Sequence, residues 1–160
     1  MIIPNLTVKL NDNNKVNRKI STTLETFSHH LFDILGPLRI TENGNQYILT
    51  IRDYTTRYTI LFPLKHKDTD SIIEALRQVI SNYGSSNVLI TDNAQEYTSE
   101  KLRNFLRYFN TRKEEIAPYH AASQGLAERI NRKINKLLRI YTHQLALNDW
   151  DQLLPLIHLT

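Results

Sequence analysis

A chain of 160 residues, 41% hydrophobic and 22% charged, is long enough and apolar enough to bury one core, so a folded domain and not a disordered chain is the expectation. The absence of cysteine excludes disulfides, cysteine-bearing zinc modules and a thiol nucleophile, and leaves Asp, Glu, His or backbone oxygen to hold any metal. No apolar run approaches the roughly 18 residues of a membrane span, the start lacks the layout of a secretory signal, and the net charge of +4 permits a polyanionic partner; an intracellular protein is the expectation.

Residues 1–27 read as a linker or the tail of a preceding module, with a short alternating piece at Leu6 to Leu10 and a polar run after it. His29-His30-Leu31-Phe32-Asp33-Ile34-Leu35, closed by Gly36-Pro37, predicts a buried strand that contains an acid. Glu42 to Asn45 supplies turn chemistry. Tyr47 to Ile51 and Tyr58 to Phe62 are then β-branched and aromatic strands joined by a short polar loop, which makes the first three strands an antiparallel meander. From Asp70 to Tyr83 the apolar residues Ile72, Ile73, Leu76, Val79, Ile80 and Tyr83 recur at helical spacing. Ser71 and Glu74 have capping-box spacing, and Gly84 ends the helix.

Val88 to Thr91 predicts a short fourth strand with Asp92 at its carboxyl edge, where side chains of an open α/β sheet meet solvent and ligands. A second helix is expected over about Ser99 to Phe109, a fifth strand over Thr111 to Ala117, a loop from Tyr119 to Gln124, and the longest helix from about Gly125 to Leu147. Gly125 suits either a hinge or a plain helix start. Asp149 to Pro155 begins a further helix that runs toward Thr160, and Trp150 reads as a packing anchor.

At about 100° per residue, Arg132, Asn135 and Arg139 fall within about 40° of Glu128, while Leu126, Ile130, Ile134, Leu137 and Tyr141 occupy the opposite side. The plainer reading of Glu128 and Arg132 is an i,i+4 pair on a solvated helix. The functional reading starts from acids in different settings: Asp33 mid-strand, Asp92 at a strand end and Glu128 on a helix face. Their convergence would be repulsive unless divalent cations neutralised it. Hard oxygen ligands select Mg2+ or Mn2+, and a pair of such ions about 3.5–4 Å apart suits phosphoryl transfer. On the same helix Arg132, Lys133, Asn135, Lys136 and Arg139 are candidates for DNA contact, against the alternative of a solvated basic face.

Phe32 to Leu38, Tyr47 to Arg57, Thr91-Asp92-Asn93 with Glu96-Tyr97, and Tyr119-His120 through Gly125-Leu126-Ala127-Glu128-Arg129 are collinear, with thirty-five residues between Asp92 and Glu128. Together they resemble the catalytic core of retroviral and LTR-retrotransposon integrases, of the gypsy type, over about Phe27 to the C-terminus. The chain departs from the family's usual residues at Ala94, Ala121 and Gln124. The resemblance implies an RNase H-like α/β fold: a mixed five-stranded sheet, first three strands antiparallel, flanked by helices, over residues 28–160, with the end of the core cut short. It implies two divalent ions, Mg2+ or Mn2+, on Asp33, Asp92 and Glu128. The implied activity is polynucleotidyl transfer, both 3′-end processing and strand transfer of element DNA into target DNA. His120 would contact DNA or belong to a flexible loop at the site. Glu96 would lie near the site without being a ligand, and Asp53 would be a turn residue. A homodimer or higher multimer, acting in the nucleus or in a virus-like particle in the cytoplasm, goes with that family. A DNA transposase with the same acids, or a domesticated, non-catalytic DNA-binding module, are the alternatives.

Overall fold

The computed structural model describes residues 28–115, 121–145 and 149–157; within 121–145 the side chains of 121–124, 126, 127, 144 and 145 are not described. Strands β1 (His29–Leu35), β2 (Tyr47–Asp53), β3 (Thr59–Leu64), β4 (Val88–Thr91) and β5 (Arg112–Glu115) form one sheet in the order β3-β2-β1-β4-β5. The first three strands are antiparallel, and β4 and β5 run parallel to β1. Helices α1 (Thr69–Tyr83), α2 (Gln95–Thr98), α3 (Glu100–Tyr108) and α4 (Ala121–Leu145) and a 3-10 segment (Trp150–Leu156) surround it.

Strand alternation sends neighbouring residues to opposite faces, and each face has its own core. Phe32, Leu49, Ile51 and Leu89 pack with Ile72, Leu76 and Val79 of α1 and with Leu102 and Leu106 of α3. On the other face Ile48 meets Ile130, Ile134 and Leu138 of α4 together with Trp150, Leu153 and Leu154. Burying a side chain of this size contributes roughly 1.5–3 kcal/mol. The row Ile130, Ile134, Leu138 therefore fixes the rotation of α4 and, with it, the direction of every polar residue on that helix.

Most elements lie where sequence periodicity places them, and the differences have local causes. Asp68, not Ser71, caps α1: its carboxylate accepts the Ser71 N–H at 2.8 Å. This lowers the Asp68 carboxyl below the ordinary carboxylate range. The short α2 fills a stretch whose apolar content is too small to announce a helix. β5 is Arg-Lys-Glu-Glu, a poor strand by propensity that forms by pairing with β4, and its charges suit an edge strand. α4 begins at Ala121, so Gly125 sits inside the helix and not at its start, and the expected loop is shorter by residues 121–124. Tyr119 and His120, like residues 1–27, lie outside the described residues.

The last described segment is a 3-10 helix pinned by polar contacts. Trp150 is buried as expected, and its indole N–H donates to the Arg39 carbonyl at 2.6 Å. Asp151 Oδ2 accepts from Thr41 Oγ1 at 2.9 Å, Asn43 Nδ2 at 3.0 Å and Asn45 Nδ2 at 2.7 Å. Burial works against the charged form of Asp151, but these hydrogen bonds outweigh it and hold the carboxyl below its ordinary range. The turn between β1 and β2 is thereby tied to the end of the chain.

Candidate active site

The parallel register of β1 and β4 pairs His29 with Val88, His30 with Leu89 and Leu31 with Ile90. The pairing ends there; Asp33 lies two residues beyond Leu31 and Asp92 two residues beyond Ile90, so both follow the same register, and the charges of both act on Lys67 and on Tyr97. Asp33 is half-buried: Oδ1 accepts the Ile34 N–H at 3.0 Å, and Oδ2 accepts Asn131 Nδ2 of α4 at 2.8 Å. Asp92 is exposed just past the end of β4, and its Oδ1 accepts the Ala94 N–H at 3.1 Å, which shapes the entry to α2.

A second tier of residues lies close to this pair. Glu96 of α2 is ion-paired with Lys67 at 3.0 Å. The hydrogen bond to Glu96 is the main cause that raises the Lys67 ammonium above its ordinary value, and Asp92 and Asp33 add to it. Thr69 Oγ1 donates to the Glu96 carbonyl at 3.0 Å and so ties the start of α1 to α2. Tyr97 is fully buried beside the acids. Burial first, then Asp33, Asp92 and Glu96, push its hydroxyl far above the ordinary phenol range. The Tyr97 hydroxyl and Asn131 Oδ1 are buried without a hydrogen-bond partner among the described residues.

Glu128 is exposed on α4, one turn before Asn131. Residues three apart on a helix are surface neighbours with Cβ atoms roughly 5–6 Å apart, so Glu128 adjoins the side chain that touches Asp33. Even so, no group of three or more acids or histidines able to hold a metal ion occurs among the described residues. Asp33 and Asp92 lie near enough to act on the same Lys67 and Tyr97, and Glu128 stands exposed on α4 without joining them in such a group. Like charges repel unless a cation neutralises them, and water hydrates Glu128 where it stands. In donor chemistry the site fits a hard divalent ion: adjoining carboxylates, with a buried amide oxygen of Asn131 next to them that lacks a partner.

Of the residues proposed for DNA contact, Arg132, Asn135, Lys136 and Arg139 line one groove of about 790 Å3 along α4, which also takes in His143. Lys133 is exposed and is not among the residues that line that groove. Asp53 behaves as a turn residue, buried at the end of β2 with its Oδ2 accepting the Thr56 N–H at 2.7 Å. Asn131, Lys67 and Tyr97 escape a reading of sequence alone. Asn131 has a signal in its position three residues after Glu128, whereas Lys67 comes to the site only through the fold.

A mixed sheet in this order, with helices on both faces, is the RNase H-like fold of integrase catalytic cores. The HTLV-2 integrase catalytic core domain, solved in complex with magnesium in a dimeric form, superposes with a TM-score of 0.68 at 19% identity, over 82% of this chain and 83% of that one. The BIV integrase catalytic core gives 0.65 at 19% identity, over 81% of this chain and 79% of that one. In sequence, the integrase core domain model matches residues 25–121. The Pro-Pol polyprotein of feline foamy virus is 32% identical over 112 residues, covering 70% of this chain and 10% of that protein. The retrovirus-related Pol polyprotein from transposon 412 of Drosophila melanogaster is 28% identical over 131 residues, covering 81% of this chain and 10% of that protein. The chain belongs to the integrase core domain family, as a catalytic core of the retroviral and LTR-retrotransposon kind. It spans about a tenth of the length of these curated relatives.

Proposed function

We propose that this chain carries out divalent-metal-dependent polynucleotidyl transfer on DNA, cutting element ends and joining them to target DNA. The observation that supports the reading is that Asp33 and Asp92 act on the same Lys67 and Tyr97, with α4 tied to Asp33 through Asn131. Asp33 and Asp92 would hold Mg2+ or Mn2+, and Glu128 would complete the set by a change of side-chain rotamer on an already anchored helix. Such ions supply activation of the attacking oxygen and neutralisation of the phosphate. The protein's own share is positioning. The Ile34 N–H and the Asn131 amide orient the Asp33 carboxylate, the Ala94 N–H orients that of Asp92, and the Lys67 ammonium occupies Glu96. Arg132, Asn135, Lys136 and Arg139 would hold the phosphate backbone along α4 so that a water oxygen, and later a 3′-hydroxyl, meets the phosphorus in line. Lys133 and His120 would add contacts from beside the groove and from before the helix. The working form would be a homodimer or larger assembly, active in the nucleus or in a virus-like particle.

The exposed position of Glu128 favours one second reading, a core that binds DNA without acting on it. A disintegration-type assay with Mn2+ separates the readings. The wild-type chain should turn over a branched DNA substrate, and Asp92→Asn should abolish this while leaving the circular dichroism spectrum and DNA affinity intact. Undiminished turnover by Asp92→Asn would overturn the metal mechanism, and a silent wild type that binds DNA would favour the second reading.

A further inference from the structure

A second cationic groove lies at the other end of the sheet. Arg103 and Arg107 sit four residues apart on α3 and project from one face. The helix ends at Phe109, and Asn110 takes a left-handed conformation with φ 55°, which reverses the chain. The Thr111 N–H returns to the Leu106 carbonyl at 2.9 Å and its hydroxyl donates to the Ser86 carbonyl at 2.6 Å, so the reversal is held from both sides. The result is a groove of about 410 Å3 lined by Arg103 and Arg107 from α3 and Arg112 and Lys113 from β5, with no carboxylate in its lining among the described residues.

This convergence differs from a solvated helix face, because the cations come from separate elements joined by a braced turn. Nor do they serve as counter-charges to the active site. Arg112 pairs with Val88 at the start of β4, and Asp92 lies four residues further on, about 13 Å away at roughly 3.3 Å per residue. That exceeds a Debye length of about 8 Å at physiological salt. Arg112 and Lys113 are paired with Glu114 at 3.0 Å and Glu115 at 3.2 Å. The Arg112 pair is well exposed, the kind of contact that a phosphate readily displaces, whereas the Lys113 side chain is largely buried in its own pair.

We propose that Arg103, Arg107 and Arg112 form a second binding site for the phosphate backbone of double-stranded DNA, outside the stretch held at Asp33 and Asp92. This rests on the reading of the chain as a DNA-acting core. The test measures binding of the full chain to a fluorescent duplex across a salt series, for the wild type, Arg103→Glu with Arg107→Glu, and the milder Arg103→Gln with Arg107→Gln. Arg132→Glu with Lys136→Glu serves as the reference on α4. Loss of two phosphate contacts should make the plot of log affinity against log salt shallower by about two, and the affinity should fall at least tenfold at about 0.1 M salt. The effect should add to that of the α4 variant. The glutamine variant reads the same slope if the glutamate variant fails to fold. Wild-type affinity and slope in the folded groove variants, with binding weakened only by the α4 changes, would overturn the proposal and leave the DNA reading standing. Absence of duplex binding by the wild type would sink both.

Discussion

Asn131→Ala removes the single described side-chain hydrogen bond by which α4 holds the Asp33 carboxylate, which the proposed function makes a metal ligand. In the wild type the Asn131 amide donates to Asp33 Oδ2 at 2.8 Å. A hydrogen bond to a charged acceptor contributes about 1.5–3 kcal/mol. If Asp33 must be held in that orientation while the phosphate reacts, the loss converts to a fall of roughly ten- to hundredfold in kcat/KM, at about 1.4 kcal/mol per factor of ten. Asn131→Asp places a second negative charge against Asp33 and should be worse than alanine unless added Mn2+ compensates. The assay is single-turnover disintegration with Mn2+ titrated over a wide range, run beside urea unfolding. Urea unfolding should lose no more than about the same 1.5–3 kcal/mol, and α4 should stay docked, because Ile130, Ile134 and Leu138 still anchor the helix. Activity of Asn131→Ala within twofold of wild type at every Mn2+ concentration would refute the claim that this amide positions Asp33.

Other outcomes follow from the same contacts. Asp151→Ala leaves the buried Thr41 hydroxyl and Asn45 amide without their acceptor and should cost about 2–4 kcal/mol in urea unfolding at neutral pH. The Asp151 carboxyl is held below its ordinary value, so its contribution is complete above the unfolded-state pKa and disappears as pH falls through the folded one. The gap between wild type and Asp151→Ala should therefore close in acid, and a gap that widens there would contradict the network. Arg132→Glu with Lys136→Glu should weaken duplex binding and flatten its salt dependence, and unchanged binding would assign the α4 groove to solvent.

Local chemistry carries a great deal of this protein. The Asp33 strand is legible because an acid interrupts an apolar run, and its predicted bounds are those of β1. α1 and the core-facing row of α4 follow from 3.6-residue periodicity, which is a property of neighbours along the chain. The spacing of Asp92 and Glu128, read with the collinear blocks around them, points to the family that the chain proves to belong to. Long-range geometry lay beyond that reach. Whether Asp33 lies beside Asp92 depends on the register of two parallel strands separated by a hairpin and a helix, and periodicity along either strand is blind to it. Lys67 approaches the acids, and Arg112 approaches Arg103, for the same reason: each is brought there by the packing of a different element. Sequence thus determined which residues carry charge and which face of each element they occupy. Only the tertiary structure decided which charges meet, because electrostatic energy depends on separations through space that the chain order does not contain. It gathered Asp33, Asp92 and Glu96 around Lys67 and tied Asn131 to Asp33, and it left Glu128 exposed one helical turn before Asn131.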